Sequence, residues 1–466
     1  MSNQREQWGS RLGFILAASG SAVGLGNIWK YPHMAGQNGG AAFTIVYLVC
    51  ILIVGLPILL GELVIGRNTQ LSPVGAYDRL AKKSNWKWVG FLGVASAFVI
   101  LSFYGVVGGW TLRYTFYSLF GGFESLSGNV DVSGEVFNSF VSNSINPIFW
   151  QLLFMSICIG IILKGVKSGI EEWSKIMMPL IIVILGVLVV RGLTLDGGSE
   201  GLLFLFKPKF SDLTPSSIVL ALGHAFFTLS LGMGTMITYG SYLDKKQNLV
   251  NSAIWVILLD TGIAMLAGTA IFTIVFAMGA DPSEGAGLIF VVLPTIFPQI
   301  GGGLIWGTLF FFILFMAALT SAISILEVVT AYFIDEKGWS RERATLSFGI
   351  VIAIVGIFCS LSLGNFTDFK TIFYHSFFDF LDELSSKYML PIGGALTAIF
   401  ILSKWGVDPF LAELKIGMEG IKIDWELVKT VSIILFIAST FFVGLILLNE
   451  VSELVFGVSL QQMVGL

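Results

Sequence analysis

Eleven long apolar runs dominate this chain, at roughly 12–36, 41–67, 88–119, 147–164, 170–191, 216–242, 250–279, 304–334, 342–362, 372–402 and 430–449. A helix needs about 20 apolar residues to cross the hydrocarbon core of a bilayer. In lipid every backbone amide must be satisfied internally, so continuous runs of this length can span only as helices. Several runs exceed the minimum, which predicts tilts, kinks or extension beyond the bilayer. Composition agrees: 55% of the 466 residues are hydrophobic and 12% charged, against about 25% charged in soluble domains. The expected fold class is an all-α polytopic membrane protein with about 11 transmembrane helices.

Other classes fall away quickly. The net charge of −4 gives no basic footprint for nucleic acid. Cys50, Cys158 and Cys359 sit inside apolar runs, with no CxxC or Cys/His metal spacing. The polar, basic N-terminus leads straight into the first run without a cleavable signal peptide. No Walker A loop, HExxH or GxSxG elbow is present, and His33, His224 and His375 lie on different spans, so an enzyme is not expected.

Loop charges set the orientation. Arg67, Arg79, Lys82, Lys83 and Lys87 follow the second run, and Lys337, Arg341 and Arg343 follow the eighth. The loops 120–145 and 280–303 carry no Lys or Arg. Positive loops stay in the cytoplasm, so the N-terminus is expected inside the cell's plasma membrane and the tail outside. The polar stretch 403–429 reads as a cytoplasmic connection between a core, 1–402, and a final span with its extracellular tail, 430–466.

Two runs are interrupted. The first contains Ser19-Gly20-Ser21-Ala22-Val23-Gly24-Leu25-Gly26-Asn27, and the sixth Ser230-Leu231-Gly232-Met233-Gly234-Thr235. Each glycine costs a helix interior about 1 kcal/mol. Clusters of them permit unwinding, and unwound backbone at membrane depth must face protein or a water-filled site. Half-helix N-termini attract carboxylates, and freed carbonyls coordinate cations. Breaks five spans apart are what a 5+5 inverted repeat predicts, with repeats at about 8–192 and 216–402 and the site between them at the midplane. Glycines in membrane helices also serve close packing, but two polar-plus-glycine clusters at matched positions favour a site.

Longer motifs accompany the breaks: Arg5-Glu6-Gln7-Trp8, Gly20 through Pro32, Asn38-Gly39-Gly40, Gly55-Leu56-Pro57 with Glu62, Gly66-Arg67, Trp110-Thr111, Gly165 through Glu171, Phe226 through Ser230 and Leu319-Thr320-Ser321. In this order they resemble the neurotransmitter:sodium symporter family, in its bacterial amino-acid branch with the leucine-transporter fold. The resemblance runs from residue 5 to about 400; the stretch after 403 carries no motif.

The resemblance implies a small amino-acid substrate held between spans one, three, six and eight. Backbone around Ala22, Gly24 and Gly26 would take its carboxylate, with Tyr104 as hydroxyl contact. Carbonyls near Phe227, Thr228 and Ser230 would take the ammonium, and Ile100, Phe227, Met233, Ser321 and Ile325 would line the side-chain cavity. Met233 stands where relatives often carry a bulky aromatic. A flexible methionine there would tolerate large apolar substrates. Two sodium sites are implied: Ala22, Asn27, Thr228 and Asp260 with the substrate carboxylate, and Gly20, Val23, Ala317, Thr320 and Ser321. Sodium, a hard cation, suits these oxygen sets. Lys30 and Asp382 match an outer gate, although Asp379 and Glu383 compete for the pairing, and Arg5 and Asp335 with Trp8 and Tyr242 match an inner gate.

Asp260 adds an expectation about anions. Chloride-dependent relatives carry Asn at this position, and some bacterial relatives a Glu one turn later, where this chain has Ala264. A carboxylate beside the ion would supply the charge that chloride supplies elsewhere, so no chloride requirement is expected. His224 stands where relatives often have Gln, and a hydrogen-bonded structural role is expected for it rather than a proton site. Glu62 and Glu327 fit the family pattern without an assigned transport role. Together these residues predict a sodium-coupled symporter that imports hydrophobic or aromatic L-amino acids by alternating access. The alternatives are a sodium-independent or proton-coupled permease of the same fold, which would lack the two oxygen sets, and a channel, which would show no coupling stoichiometry.

Overall fold

The computed structural model describes residues 5–282, 287–364 and 376–458. The start of the tenth apolar run with His375, four residues of the 280–303 loop and the end of the tail lie outside the described residues. Among the described residues eight helices are continuous and long enough to span: Ala41–Thr69, Lys87–Leu119, Val166–Leu193, Leu249–Ala277, Gly303–Lys337, Arg341–Ser362, Phe377–Trp405 and Trp425–Glu453. They correspond to spans two, three, five and seven to eleven. Span four is the 17-residue helix Asn146–Ile162. Spans one and six are each split, as Arg11–Ala22 with Gly26–Gln37 and as Pro215–Thr228 with Thr235–Gly240. No strand occurs among the described residues.

Proline shapes several spans in the same way. A wide π-helical turn at Gly26–Lys30, Ile51–Gly55, Leu288–Val292 and Leu384–Met389 precedes Pro32, Pro57, Pro294 and Pro391 respectively. A proline ring clashes with the carbonyl four residues back, and in each case that carbonyl lies inside the wide turn. The helix therefore bends or widens without ending. Helix starts are capped by short polar side chains: Ser10, Asn248, Ser340, Ser376 and Asp424 each accept a backbone N–H from the first turn, and Thr214 forms a reciprocal capping box with Ser217.

Spans three and eight pack along each other through the centre, and the inner half of span one lies against spans five, seven and eight. Span eleven sits at the rim, with Val431, Ile434, Ile437, Phe441 and Leu448 exposed toward lipid. Four stretches that the sequence presents as plain loops contain short helices: Val130–Val141, Gly198–Phe206, Leu288–Gln299 and Val407–Lys415. The first is amphipathic and rests Phe137 on Trp110 and Phe290. The last is tied to the end of span two, where buried Arg67 donates to the Glu413 carboxylate at 2.7 Å and to the Gln247 carbonyl at 2.5 Å. That tie puts 403–429 at the same end of the bundle as the basic loop after span two.

Candidate functional site

The break in span one begins where the inner helix ends at Ala22. Val23 turns extended, with φ −73 and ψ 102, and the outer half restarts at Gly26. Gly24 fits a tight space: a Cβ there would lie 2.4 Å from Ser321 Oγ and 2.8 Å from Tyr104 Oη, so both side chains would have to move. The freed amides are satisfied from neighbouring spans. Gly24 N–H donates to Asn27 Oδ1 at 3.1 Å, and Leu25 N–H to Tyr104 Oη at 3.2 Å.

The break in span six runs through three left-handed residues, Ser230, Gly232 and Gly234, with φ of 53, 78 and 76. Glycine is obligatory at 232, because a Cβ would stand 2.1 Å from the Leu390 carbonyl oxygen. Ser230 accepts the strain with a compensating bond, its Oγ donating to the Ser21 carbonyl at 2.9 Å. The Gly232 N–H donates to Glu62 Oε1 at 2.7 Å, so an acid from span two secures the break.

Between the two breaks lies a small cavity of about 20 Å³, lined by Ser21, Ala22, Gly24, Gly26, Ile100, Tyr104, Phe227, Ser230, Met233, Ser321 and Ile325. Every residue expected at the substrate site lines it except Thr228, whose hydroxyl turns away to Asp260. Ser21 is an addition. A space of this size holds about one water, so the contacts drawn here are those of a contracted, closed pocket.

Two oxygen clusters flank the cavity. In the first, Asn27 Nδ2 and Thr228 Oγ1 donate to Asp260 Oδ1 at 2.7 and 2.9 Å, Thr228 Oγ1 also reaches Asn27 Oδ1 at 3.3 Å, and Tyr47 Oη lies 3.4 Å from Asp260 Oδ2. All four side chains are buried. In the second, Thr320 Oγ1 lies 3.3 Å from the Val23 carbonyl and 2.9 Å from that of Ala317. Ser321 Oγ lies 3.0 Å from the Ser21 carbonyl and 3.4 Å from that of Val23. A Cβ on Gly20 would meet Thr320 Cβ at 3.3 Å. The structure thus brings together Asn27, Thr228 and Asp260 of the first set, and Val23, Ala317, Thr320 and Ser321 of the second.

The cavity is closed at both ends. On one side Lys30 Nζ pairs with Asp382 Oδ1 at 3.1 Å and lies 4.2 Å over the Phe227 ring. The competing acids are engaged elsewhere, Asp379 with Ser376 and Glu383 with Lys387. On the other side Arg5 grips both oxygens of Asp335 at 2.6 and 2.5 Å and donates to Ser241 Oγ. Its guanidinium lies 4.8 Å from the Tyr242 ring centre. Trp8 donates to the Tyr239 carbonyl at 3.0 Å. Glu327, fully buried, accepts from Tyr242 Oη at 2.6 Å and from Arg341 at 2.7 and 2.9 Å, extending this network inward.

His224 departs from its expected role. Neither ring nitrogen meets a protein hydrogen-bond partner among the described residues. The ring instead packs 5.1 Å from Tyr47 and 6.4 Å from Tyr31, between two aromatic faces.

Among the described residues, eight continuous membrane-length helices, two spans broken at matched positions and a sealed cavity beside clustered oxygens mark a membrane transporter. The sodium:neurotransmitter symporter family profile matches residues 5–130 and 134–456, and the chain belongs to that family. It is 42% identical to the sodium-dependent transporter YhdH of Bacillus subtilis, over 90% of this chain and 93% of that protein. It is 35% identical to a sodium-dependent transporter of Haemophilus influenzae, covering 85% and 89% of the two chains. The crystal structure of MhsT in complex with L-phenylalanine superposes with a TM-score of 0.86 at 46% identity, over 95% of this chain and all of that one. The fold is therefore that of the leucine transporter, and the protein is a sodium-dependent carrier of a small molecule across a lipid bilayer, not an enzyme.

Proposed function

We propose that this protein imports hydrophobic L-amino acids, aromatic ones included, with two sodium ions and without chloride. The observation that carries the reading is the composition of the cavity wall. Unwound backbone and the Tyr104 hydroxyl face one side, and Ile100, Phe227, Met233 and Ile325 face the other, with no charged side chain among the lining residues. An amino acid bound there would present its carboxylate to the amides of span one and its ammonium to the carbonyls of span six. Its side chain would lie on the apolar wall. A charged side chain would be buried unpaired, at a cost of several kcal/mol. The phenylalanine bound by MhsT supports this class.

The first sodium would lie against the Ala22 carbonyl, Asn27, Thr228, Asp260 and the substrate carboxylate, so that ion and substrate stabilise each other. The second would lie among the Gly20, Val23 and Ala317 carbonyls and the Thr320 and Ser321 hydroxyls, joining span one to span eight. Lys30–Asp382 serves as the outer gate, over the Phe227 and Tyr104 lid, and Arg5–Asp335 with Trp8 and Tyr242 as the inner one. The basic loops put the N-terminus in the cytoplasm. The repeats run about 8–192 and 216–402, with 403–429 cytoplasmic and the tail extracellular. The test is uptake into liposomes of all twenty labelled amino acids, with and without a sodium gradient. Sodium-driven uptake led by leucine, phenylalanine, tyrosine or tryptophan is expected; equal uptake in choline would refute the coupling.

A further inference from the structure

The motif running from Gly165 to Glu171 has no place in the cavity, the ion clusters or either gate, yet its side chains are committed. It opens span five, beside the segment that leads into span one. Two acids cross between these strands of chain in opposite directions. Glu6, from the N-terminal segment, accepts the Val166 N–H at 2.6 Å, in a space kept open by Gly165, where a Cβ would approach Glu6 Oε2 to 3.0 Å. Glu171, from span five, accepts the Gly9 N–H at 2.6 Å, the Ser10 hydroxyl at 2.9 Å and Lys175 Nζ at 2.5 Å. It is 1% exposed. Gly13, in the first turn of span one, packs directly on this carboxylate: a Cβ would stand 2.1 Å from Glu171 Oε1.

The inner half of span one, Arg11–Ala22, is bent by 51° from the outer half across the unwound residues. Opening the cavity inward requires this piece to leave its neighbours. Arg5–Asp335 fastens the segment before it to span eight. We propose that Glu171 is a second inner latch, a positioning residue that fastens the start of span one to span five and must let go before substrate is released inward. The inference rests on the transport reading only for its meaning in the cycle. Two of the three donors to Glu171, the Gly9 N–H and the Ser10 hydroxyl, belong to the span-one segment, so separating the spans breaks two charge-assisted bonds of a buried carboxylate, while Lys175, one turn on in span five, stays paired with it.

The test reads opening directly. A single cysteine replaces Ser19, which is fully buried on span one, in a background carrying Cys50→Ala, Cys158→Ala and Cys359→Ala. A membrane-impermeant maleimide is added to inside-out vesicles. Glu171→Gln, which places an amide N–H against the Gly9 or Ser10 donor, should raise the labelling rate on the order of tenfold, the size expected from losing one bond to an ionised group. Gly13→Ala pushes on the same carboxylate from the other side while keeping its charge, so it should raise labelling similarly, and it keeps the test standing if Glu171→Gln does not fold. The double variant should label no faster than the faster single one. Labelling at the parent rate in every folded variant, or effects that multiply in the double variant, would overturn the latch. The parent's sodium-driven uptake, measured in right-side-out vesicles, tests the transport reading separately.

Discussion

Asp260→Asn separates charge from shape at the first ion cluster. The carboxylate's Oδ1 accepts from Asn27 and Thr228 at 2.7 and 2.9 Å, and Oδ2 faces the Tyr47 hydroxyl at 3.4 Å. An asparagine whose oxygen takes the Oδ1 position keeps both strong bonds. Its amide then meets the Tyr47 hydroxyl, which can turn to accept. What is lost is one negative charge beside the proposed sodium. Unit charges about 4 Å apart at an effective dielectric of about 20 attract by about 4 kcal/mol. Some of this is returned, because the variant no longer holds a buried charge in the ion-free state, which costs about 2.5–3.5 kcal/mol at a helix centre on insertion scales. That cost is moderated here by three hydrogen bonds, so a net loss of roughly 3 kcal/mol, on the order of 10²-fold in sodium affinity, is expected. The assay is sodium titration of labelled-substrate binding, in chloride and in gluconate. The wild type should give superimposable curves in the two anions, and the variant a midpoint shifted to much higher sodium. A wild-type curve that collapses in gluconate would refute the reasoning, as would an Asp260→Asn midpoint equal to wild type with chloride absent.

Three further outcomes are expected. Asn27→Ala, or Thr320→Ala combined with Ser321→Ala, should abolish sodium-stimulated binding; binding that persists at wild-type sodium concentrations would disprove the assigned ligand sets. Leucine, tyrosine and tryptophan should displace bound substrate, whereas glutamate and lysine should not, and the reverse order in a competition assay would remove the apolar-pocket reading. Gly24→Ala drives a methyl group into Ser321 Oγ and Tyr104 Oη, an overpacking worth about 1–3 kcal/mol. It should abolish substrate binding with a melting temperature lowered by only a few degrees, and retained affinity would show that the pocket relaxes around the site.

Much of the architecture is readable from the chain because the bilayer imposes a length and a polarity on every span. The two breaks are equally plain, since glycine clusters in lipid need a reason. Contacts between distant residues are less readable. Glu62 secures the span-six break across 170 positions of sequence, and Glu327 joins the inner network through Tyr242, 85 positions away. As single buried acids they give no sign of their partners. The choice of Asp382 over Asp379 as the partner of Lys30 is set by helix rotation: Asp379 is absorbed by its own cap at Ser376. Serine at the start of a helix followed three residues later by an acid is a capping pattern, so that signal was present in the sequence. His224 had none, because a histidine's stacking partners are defined only by the fold. The short helix Val407–Lys415 is held by Arg67 and Glu413, a pair that local pattern cannot connect.

The two ion pairs that close the cavity are unequal, and as the proposed gates they bear on the salinity in which the carrier works. The outer tie is a single contact between partners 23% and 31% exposed, a kind of pair worth about 0–1 kcal/mol in solution. Dissolved ions weaken it further, since charges are screened over about 8 Å at physiological ionic strength and about 3 Å in molar salt. The inner tie is two-pronged, less exposed and reinforced by Ser241, by the Ser72 N–H and by the ring of Tyr242, where screening reaches little. With Lys30–Asp382 on the external face, as proposed above, raising external salt would loosen that end of the molecule and spare the other. On the proposed orientation, the driving ion would bias an empty carrier to face the medium that supplies it before any sodium has bound.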